Sequence, residues 1–186
     1  MWVLGVISWF VIRYPHSRRS RRTLKIRRID RGPETILLIF SGLGLGIIPA
    51  SYVFANMWRF ADYTFQPWQA WAGLGIFSAS LWLFRLTHRE LGRNWSVTLE
   101  LRDQHVLVTK GVYGRVRHPM YAAFWLWALA QAFLLQNWVA GPVGLIGFGT
   151  LFFFRVRREE QLMIETFGKE YRDYMTKTYR IIPGLY

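Results

Sequence analysis

The sequence predicts an all-α protein: an integral membrane helical bundle of about five transmembrane helices, with a short C-terminal helical hairpin and a cytoplasmic helical tail. Three observations predict it. Half of the 186 residues are apolar, yet the chain carries a net charge of +13, so charged and apolar residues must be segregated. Residues 35–58, 63–84 and 118–154 contain no Asp, Glu, Lys or Arg. Positive loops alternate with nearly neutral ones along the chain, which is the bias that orients membrane proteins.

The apolar segments can be taken in order. MWVLGVISWFVI, residues 1–12, is short for a span and crosses a bilayer only if Arg13 and Tyr14 reach up to the interface. It fits a signal peptide poorly, because no basic region precedes it and no small-residue cleavage site follows. Residues 35–58 and 63–84 each reach the roughly 20 residues that a spanning helix needs. Residues 118–154 are too long for one span and suit two short helices joined near Asn137 to Pro142. The whole of 1–186 reads as one membrane domain. Residues 1–90 hold the N-terminal helices and a basic loop, and 91–186 hold the polar clusters that could carry chemistry.

Orientation follows from charge. Arg13 to Arg31 carries nine Lys or Arg residues against one Asp, and 85–117 is basic again. The expected topology has the N-terminus outside and the basic loops and C-terminal tail in the cytoplasm. The run RRSRRTLKIRR also has the look of a nucleic-acid patch, but it lies between apolar segments. Anionic lipid headgroups are therefore the expected partner, and nucleic acid is not. With no cysteine, the chain has no disulfide, no thiolate metal site and no cysteine nucleophile, and no metal centre is expected.

SGLGLGIIP, residues 41–49, resembles a phosphate loop only superficially, because it lies inside an apolar span. Gly42 and Gly46 are four apart and are expected to offer a smooth face for a neighbouring helix, with Pro49 kinking or ending the stretch. Gly141, Gly144, Gly147 and Gly149 read as similar devices. Trp68, Trp71, Trp82, Trp95, Trp125, Trp127 and Trp138 lie near span ends, as in an aromatic belt. LTHRELGRNW continues the third helix out of the membrane and stops near Gly92. HVLVTKGVY reads as an extended segment with a turn at Lys110-Gly111. After Phe154, an amphipathic helix with a break at Gly168 is expected.

Two polar clusters remain. In GVYGRVRHPMYAAF, residues 111–124, Pro119 is placed to start the fourth helix, which puts His118 at its mouth with Tyr113 and Tyr121 on either side. Free N–H groups and the positive helix end would favour a carboxylate there. Anchoring of the helix at the interface is the alternative that these residues leave open. Arg155 and Glu159 are four apart and share a helix face, so Glu159 could bind an ammonium group and Arg155 an anion. A solvated charged collar is the alternative.

HVLVTKGVYGRVRHPMY, followed one hairpin later by RREEQLMIETFGKEYRDYMTKTYRIIP, resembles the isoprenylcysteine carboxyl methyltransferase family and its relatives among the phospholipid methyltransferases. The resemblance covers roughly Leu91 to Pro183. It implies an integral membrane enzyme that transfers a methyl group from S-adenosylmethionine to a lipophilic acceptor. It implies cofactor contacts at His105, Val106, Leu107 and Val108, at Tyr113, at His118, Pro119, Met120 and Tyr121, and at Glu159. Arg155 matches a substrate-binding position near the methyl acceptor. Glu100 stands where some members have a cofactor-binding glutamine. The acceptor implied is a carboxylate, as in a prenylated protein substrate. A phospholipid amine is the alternative within methyl transfer. Membrane sterol and enone reductases, which use NADPH and share a similar C-terminal arrangement, are a second class, and a non-catalytic lipid-binding scaffold is a third.

Overall fold

A computed structural model gives the fold and describes residues 1–20, 25–28, 31–92, 100–102 and 106–186. The described elements are α1 (Trp2–Ser20), β1 (Lys25–Arg28), α2 (Arg31–Gly42), a π-helical turn (Leu43–Ile47) and α3 (Ile48–Ala55). They continue with α4 (Pro67–Leu91), β2 (Glu100–Arg102), α5 (Pro119–Leu134), α6 (Val143–Phe167) and α7 (Lys169–Lys177). The all-helical expectation holds for the bundle, with one small addition. β1 and β2 pair antiparallel, with Lys25 opposite Arg102 and Arg28 opposite Glu100. Main-chain hydrogen bonding thus ties the basic loop to the segment that leads into residues 106–109, a pairing between distant charged segments that local periodicity does not reveal.

Residues 32–55 run as one helix of 24 residues with a mean hydropathy of 2.0. It is the one described helix both long and apolar enough to cross a membrane by those measures, and α5 is apolar but shorter. The other expected spans differ in their limits. The helix expected from Tyr63 begins only at Pro67, where Gln66 and Gln69 close a reciprocal capping box. The first helix passes Arg13 and Pro15 and ends at Ser20. The outer faces are nonetheless oily: Leu4, Ile7, Ile36, Phe54, Trp71, Phe153 and Phe154 are all exposed. A belt of that kind is unusual on a water-soluble monomer.

Pro49 has no N–H to give, and its ring crowds the carbonyl one turn back. The helix accommodates it with the π-helical turn just upstream. That turn rotates the glycine face. Helix contact therefore falls not on Gly42 and Gly46, where an added Cβ would meet no heavy atom within 4 Å, but on Gly44. A Cβ on Gly44 would lie 2.6 Å from the Val143 carbonyl oxygen and 3.2 Å from the Gly147 Cα. Gly147 meets the Phe40 carbonyl in the same way, while Gly144 and Gly149 pack against Gln131 and Trp125. Gln131, fully buried, donates to the carbonyls of Gly44 (3.0 Å) and Ala140 (2.9 Å), joining the π turn to the α5–α6 connection.

The hairpin turns where expected. Asn137 is buried; its amide donates to Trp58 O and Asp62 Oδ1, and its Oδ1 accepts from the N–H groups of Val139 and Ala140. α4 ends at Leu91 with Gly92 capping, and Gly168, at φ 56°, separates α6 from α7. Trp68, Trp71, Trp82 and Trp138 are exposed as a belt requires. Trp127 is a correction: it is core, in contact with Phe77 and Trp9, because its helix is central to the bundle. Trp125 likewise packs on Phe148 and Phe152. Trp95 lies outside the described residues.

Gly44→Ala is expected to destabilise the protein by about 1–3 kcal/mol through backbone overpacking, while Gly46→Ala stays within about 0.5 kcal/mol. Thermal unfolding in detergent would check the pair, and equal losses at both positions would contradict this packing. Asn137→Ala, which removes four hydrogen bonds at a buried side chain and strands the buried Ala140 N–H, is expected to cost about 2 kcal/mol in the same assay.

Candidate active site

The Arg-His-Pro turn is built by the chain's own C-terminal segment. The N–H groups of Arg117 and His118 donate to the carbonyls of Tyr179 (2.7 Å) and Arg180 (2.8 Å), and the Tyr179 N–H donates back to Arg115 O (3.1 Å). Pro119 then opens α5 as its first residue, and His118 is the N-cap. Beneath the turn lies Glu160, which is buried. Its carboxylate accepts from Arg117 Nε (3.1 Å), His118 Nε2 (3.4 Å) and Arg180 Nη2 (2.8 Å). Burial alone would raise this carboxyl. The hydrogen bonds from His118 and Arg180, and their charges, outweigh it and hold the group down to about 2.

One residue earlier on α6, Glu159 points elsewhere. It accepts a short hydrogen bond from the Tyr121 hydroxyl of α5. Arg155, one turn back, is buried and pairs with Glu34 of α2 at 3.4 Å. Tyr113 is buried in the turn Gly111–Gly114; Tyr174 of α7 donates to its carbonyl at 2.6 Å. Burial, with the Glu159 charge next in weight, pushes the Tyr113 phenol well above its ordinary value, so it stays a neutral donor. Gly111, at φ 62°, lets the turn pack directly on the Glu90 carboxylate of α4.

Several of these groups line one cavity of about 570 Å³. Its polar end holds His118, Tyr113, Arg117, Arg155, Glu159 and Tyr171. Its apolar arm runs between α1, α2 and α6 past Val6, Phe10, Leu38, Leu45 and Leu151, with Gly42 and Gly46 in its wall. Arg13 stands at this arm, its guanidinium 4.7 Å above the Trp9 ring.

Of the residues singled out in the sequence, Val106, Leu107, Val108, Tyr113, His118, Met120, Tyr121, Arg155 and Glu159 all line this cavity. Pro119 does not: it is fully buried and serves to start α5. The Glu100 backbone lies in β2. His105 lies outside the described residues. Sequence reasoning gave no role to Glu160, which it met only as the second of two paired glutamates, or to Glu34, Arg117 and Arg180. Glu160 and Arg117 sit beside residues it did single out, but nothing in their spacing tells that they face each other. Glu34 carried no local signal at all.

The fold and site define a membrane-type helical protein in which carboxylate, guanidinium and aromatic groups meet at the head of an oily cleft. The profile of the isoprenylcysteine carboxyl methyltransferase family matches residues 72–165, and the chain belongs to that family of integral membrane enzymes. The protein-S-isoprenylcysteine O-methyltransferase of Dictyostelium discoideum is 40% identical over 91 residues, which is 47% of this chain and 37% of that protein. The enzyme of the same name from Schizosaccharomyces pombe is 32% identical over 124 residues, 66% of this chain and 52% of its own length. A solved structure of the eukaryotic intramembrane Ras methyltransferase, isoprenylcysteine carboxyl methyltransferase, is similar at a TM-score of 0.57 and 27% identity, over 84% of this chain and 55% of that one. The chain spans about half the length of these relatives, or less.

Glu160 gives an acid-lability prediction. A carboxyl at 4.5 when unfolded and about 2 when folded adds stability that is complete above 4.5 and lost as pH falls from there towards 2. Glu160→Gln is expected to flatten the fall in stability across that window, measured by unfolding at stepped pH. An unchanged slope would mean the carboxylate is not held as described.

Proposed function

We propose that this protein is a membrane methyltransferase that transfers a methyl group from S-adenosylmethionine to the carboxylate of a lipophilic acceptor, as an isoprenylcysteine carboxyl O-methyltransferase does. The observation that carries this reading is the single cavity in which Glu159, Tyr121, His118, Tyr113 and Arg155 converge above an apolar arm. The donor set suits the cofactor. It has a carboxylate for an ammonium group, a helix N-terminus and a histidine for a carboxylate, and aromatic faces for a cation. The indole N–H groups of Trp9 and Trp127, which line the cavity, are buried with no acceptor among the described residues.

When bound, S-adenosylmethionine supplies an electrophilic methyl group on a sulfonium. The protein's part is binding and placement. Glu159, oriented by the Tyr121 hydroxyl, accepts from the amino group. His118 and the free N–H groups at the start of α5 receive the carboxylate. Aromatic faces near a cation contribute about 0.5–2 kcal/mol. The apolar arm takes the acceptor's lipid chain, and Arg155 orients its carboxylate. No general base is needed, because that carboxylate is already ionised; positioning and exclusion of water do the work. In the topology this reading favours, about five helices span the membrane, with the N-terminus outside. The basic loops, the site and the C-terminus then face the cytoplasm, where anionic headgroups meet the arginines.

Calorimetry on the detergent-purified protein is expected to show saturable binding of S-adenosylhomocysteine, no binding of NADPH, and a loss of tenfold or more in Glu159→Ala, about 1.4 kcal/mol. A folded sample that binds NADPH instead, or neither ligand, would overturn the reading. A C-terminal reporter active only on the outer side would overturn the topology.

A further inference from the structure

We infer that Glu34 is a positioning residue for the acceptor: it shares the charge of Arg155, so that the acceptor carboxylate is oriented without being held too tightly to react. The inference rests on the proposed reaction and deepens it.

The geometry has three parts. Glu34 Oε1 lies 3.4 Å from Arg155 Nη2, and both side chains are almost wholly buried. Arg155 lines the cavity, and Glu34 is not among its lining residues, so the pairing reaches the cavity through the guanidinium. Glu34 comes from the first turn of α2, in the N-terminal half, far along the chain from the Arg155 helix. In that first turn the positive helix end favours a negative charge, which suits a carboxylate set beside the guanidinium.

The chemistry then gives Glu34 a role with a definite sign. In methyl transfer to a carboxylate, an acceptor oxygen lone pair forms the bond to the methyl carbon. The methyl–sulfur bond breaks and its electron pair stays on sulfur, and no proton moves. Negative charge on the acceptor is greatest before reaction and falls as the new bond forms. A guanidinium committed wholly to that carboxylate is therefore strongest in the ground state and weaker in the transition state, which tightens binding while slowing the chemical step. A carboxylate already paired with Arg155 reduces that ground-state grip. The acceptor keeps its orientation and its oxygen keeps its reactivity.

A residue that only braced Arg155 would have the opposite signature, because its removal would loosen the guanidinium and weaken acceptor binding. The test is Glu34→Gln, beside Glu34→Asp as the variant that retains the charge. Acceptor binding is measured by calorimetry with N-acetyl-S-farnesylcysteine and saturating S-adenosylhomocysteine, and kcat and KM are measured separately with S-adenosylmethionine. For Glu34→Gln, acceptor affinity is expected to rise about tenfold while kcat falls by a similar factor, with S-adenosylhomocysteine affinity unchanged. Glu34→Asp, with a shorter reach, is expected to shift both in the same direction by less, and it carries the test if the glutamine variant does not fold. Weaker or unchanged acceptor binding overturns the inference, as does failure of the wild-type protein to bind this carboxylate. Wild-type binding without methyl transfer sinks the proposed reaction instead, while the sign of the binding change still decides Glu34.

Discussion

One buried carboxylate holds the polar end of this molecule together. Glu160 gathers Arg117 and His118 from the turn before α5 and Arg180 from the C-terminal segment. Charges taken out of water persist only when paired and hydrogen-bonded, so these groups cannot drift apart without leaving one of them stranded. The consequence is geometric. Because Glu160 is fixed on α6, its neighbour Glu159 is aimed at Tyr121 and the cavity. Because His118 is fixed over Glu160, the start of α5 faces the same space. The C-terminal segment is therefore a structural part of the site, and α7 supports it from behind through Tyr174 and the Tyr113 carbonyl.

The rest of the bundle is held by closeness and not by charge. In lipid, helices gain nothing from merely hiding oily surface, so small residues and buried amides carry the association. Gly44 against Gly147, and Gln131 reaching three carbonyls, are the two devices that bring α2, α5 and α6 together. Both depend on the π turn ahead of Pro49, which moves Gly44 to the contact and leaves Gly42 and Gly46 facing the cavity. The same local irregularity thus seals one face of the helix and opens the other.

The two halves of the chain meet electrostatically at Arg155. Its guanidinium belongs to the family-matched C-terminal region, and its partner Glu34 belongs to α2. The C-terminal half holds the groups suited to a cofactor. The N-terminal half supplies one side of the oily arm, with Leu151 of α6 on the other, and the carboxylate that pairs with Arg155.

Much of this was legible in the residues. Segregated charge and the three uncharged stretches implied the helices and the hairpin. Pro119, Gly92 and Gly168 marked helix ends where the structure has them, because each acts through its own backbone. The GVY, RHP and paired-glutamate motifs led to Tyr113, His118, Tyr121, Arg155 and Glu159, which do share a cavity. What the residues did not reveal were relations across space: the β1–β2 pairing, the choice of Gly44 over Gly42 and Gly46, the burial of Trp127, and the pairs Glu160–Arg180 and Arg155–Glu34. Sequence alone determined the local conformations and the chemical types at the site, since those follow from each residue and its near neighbours. Only the tertiary structure decided which charge meets which, because a buried ion pair is set by how helices far apart in the chain pack and exclude water.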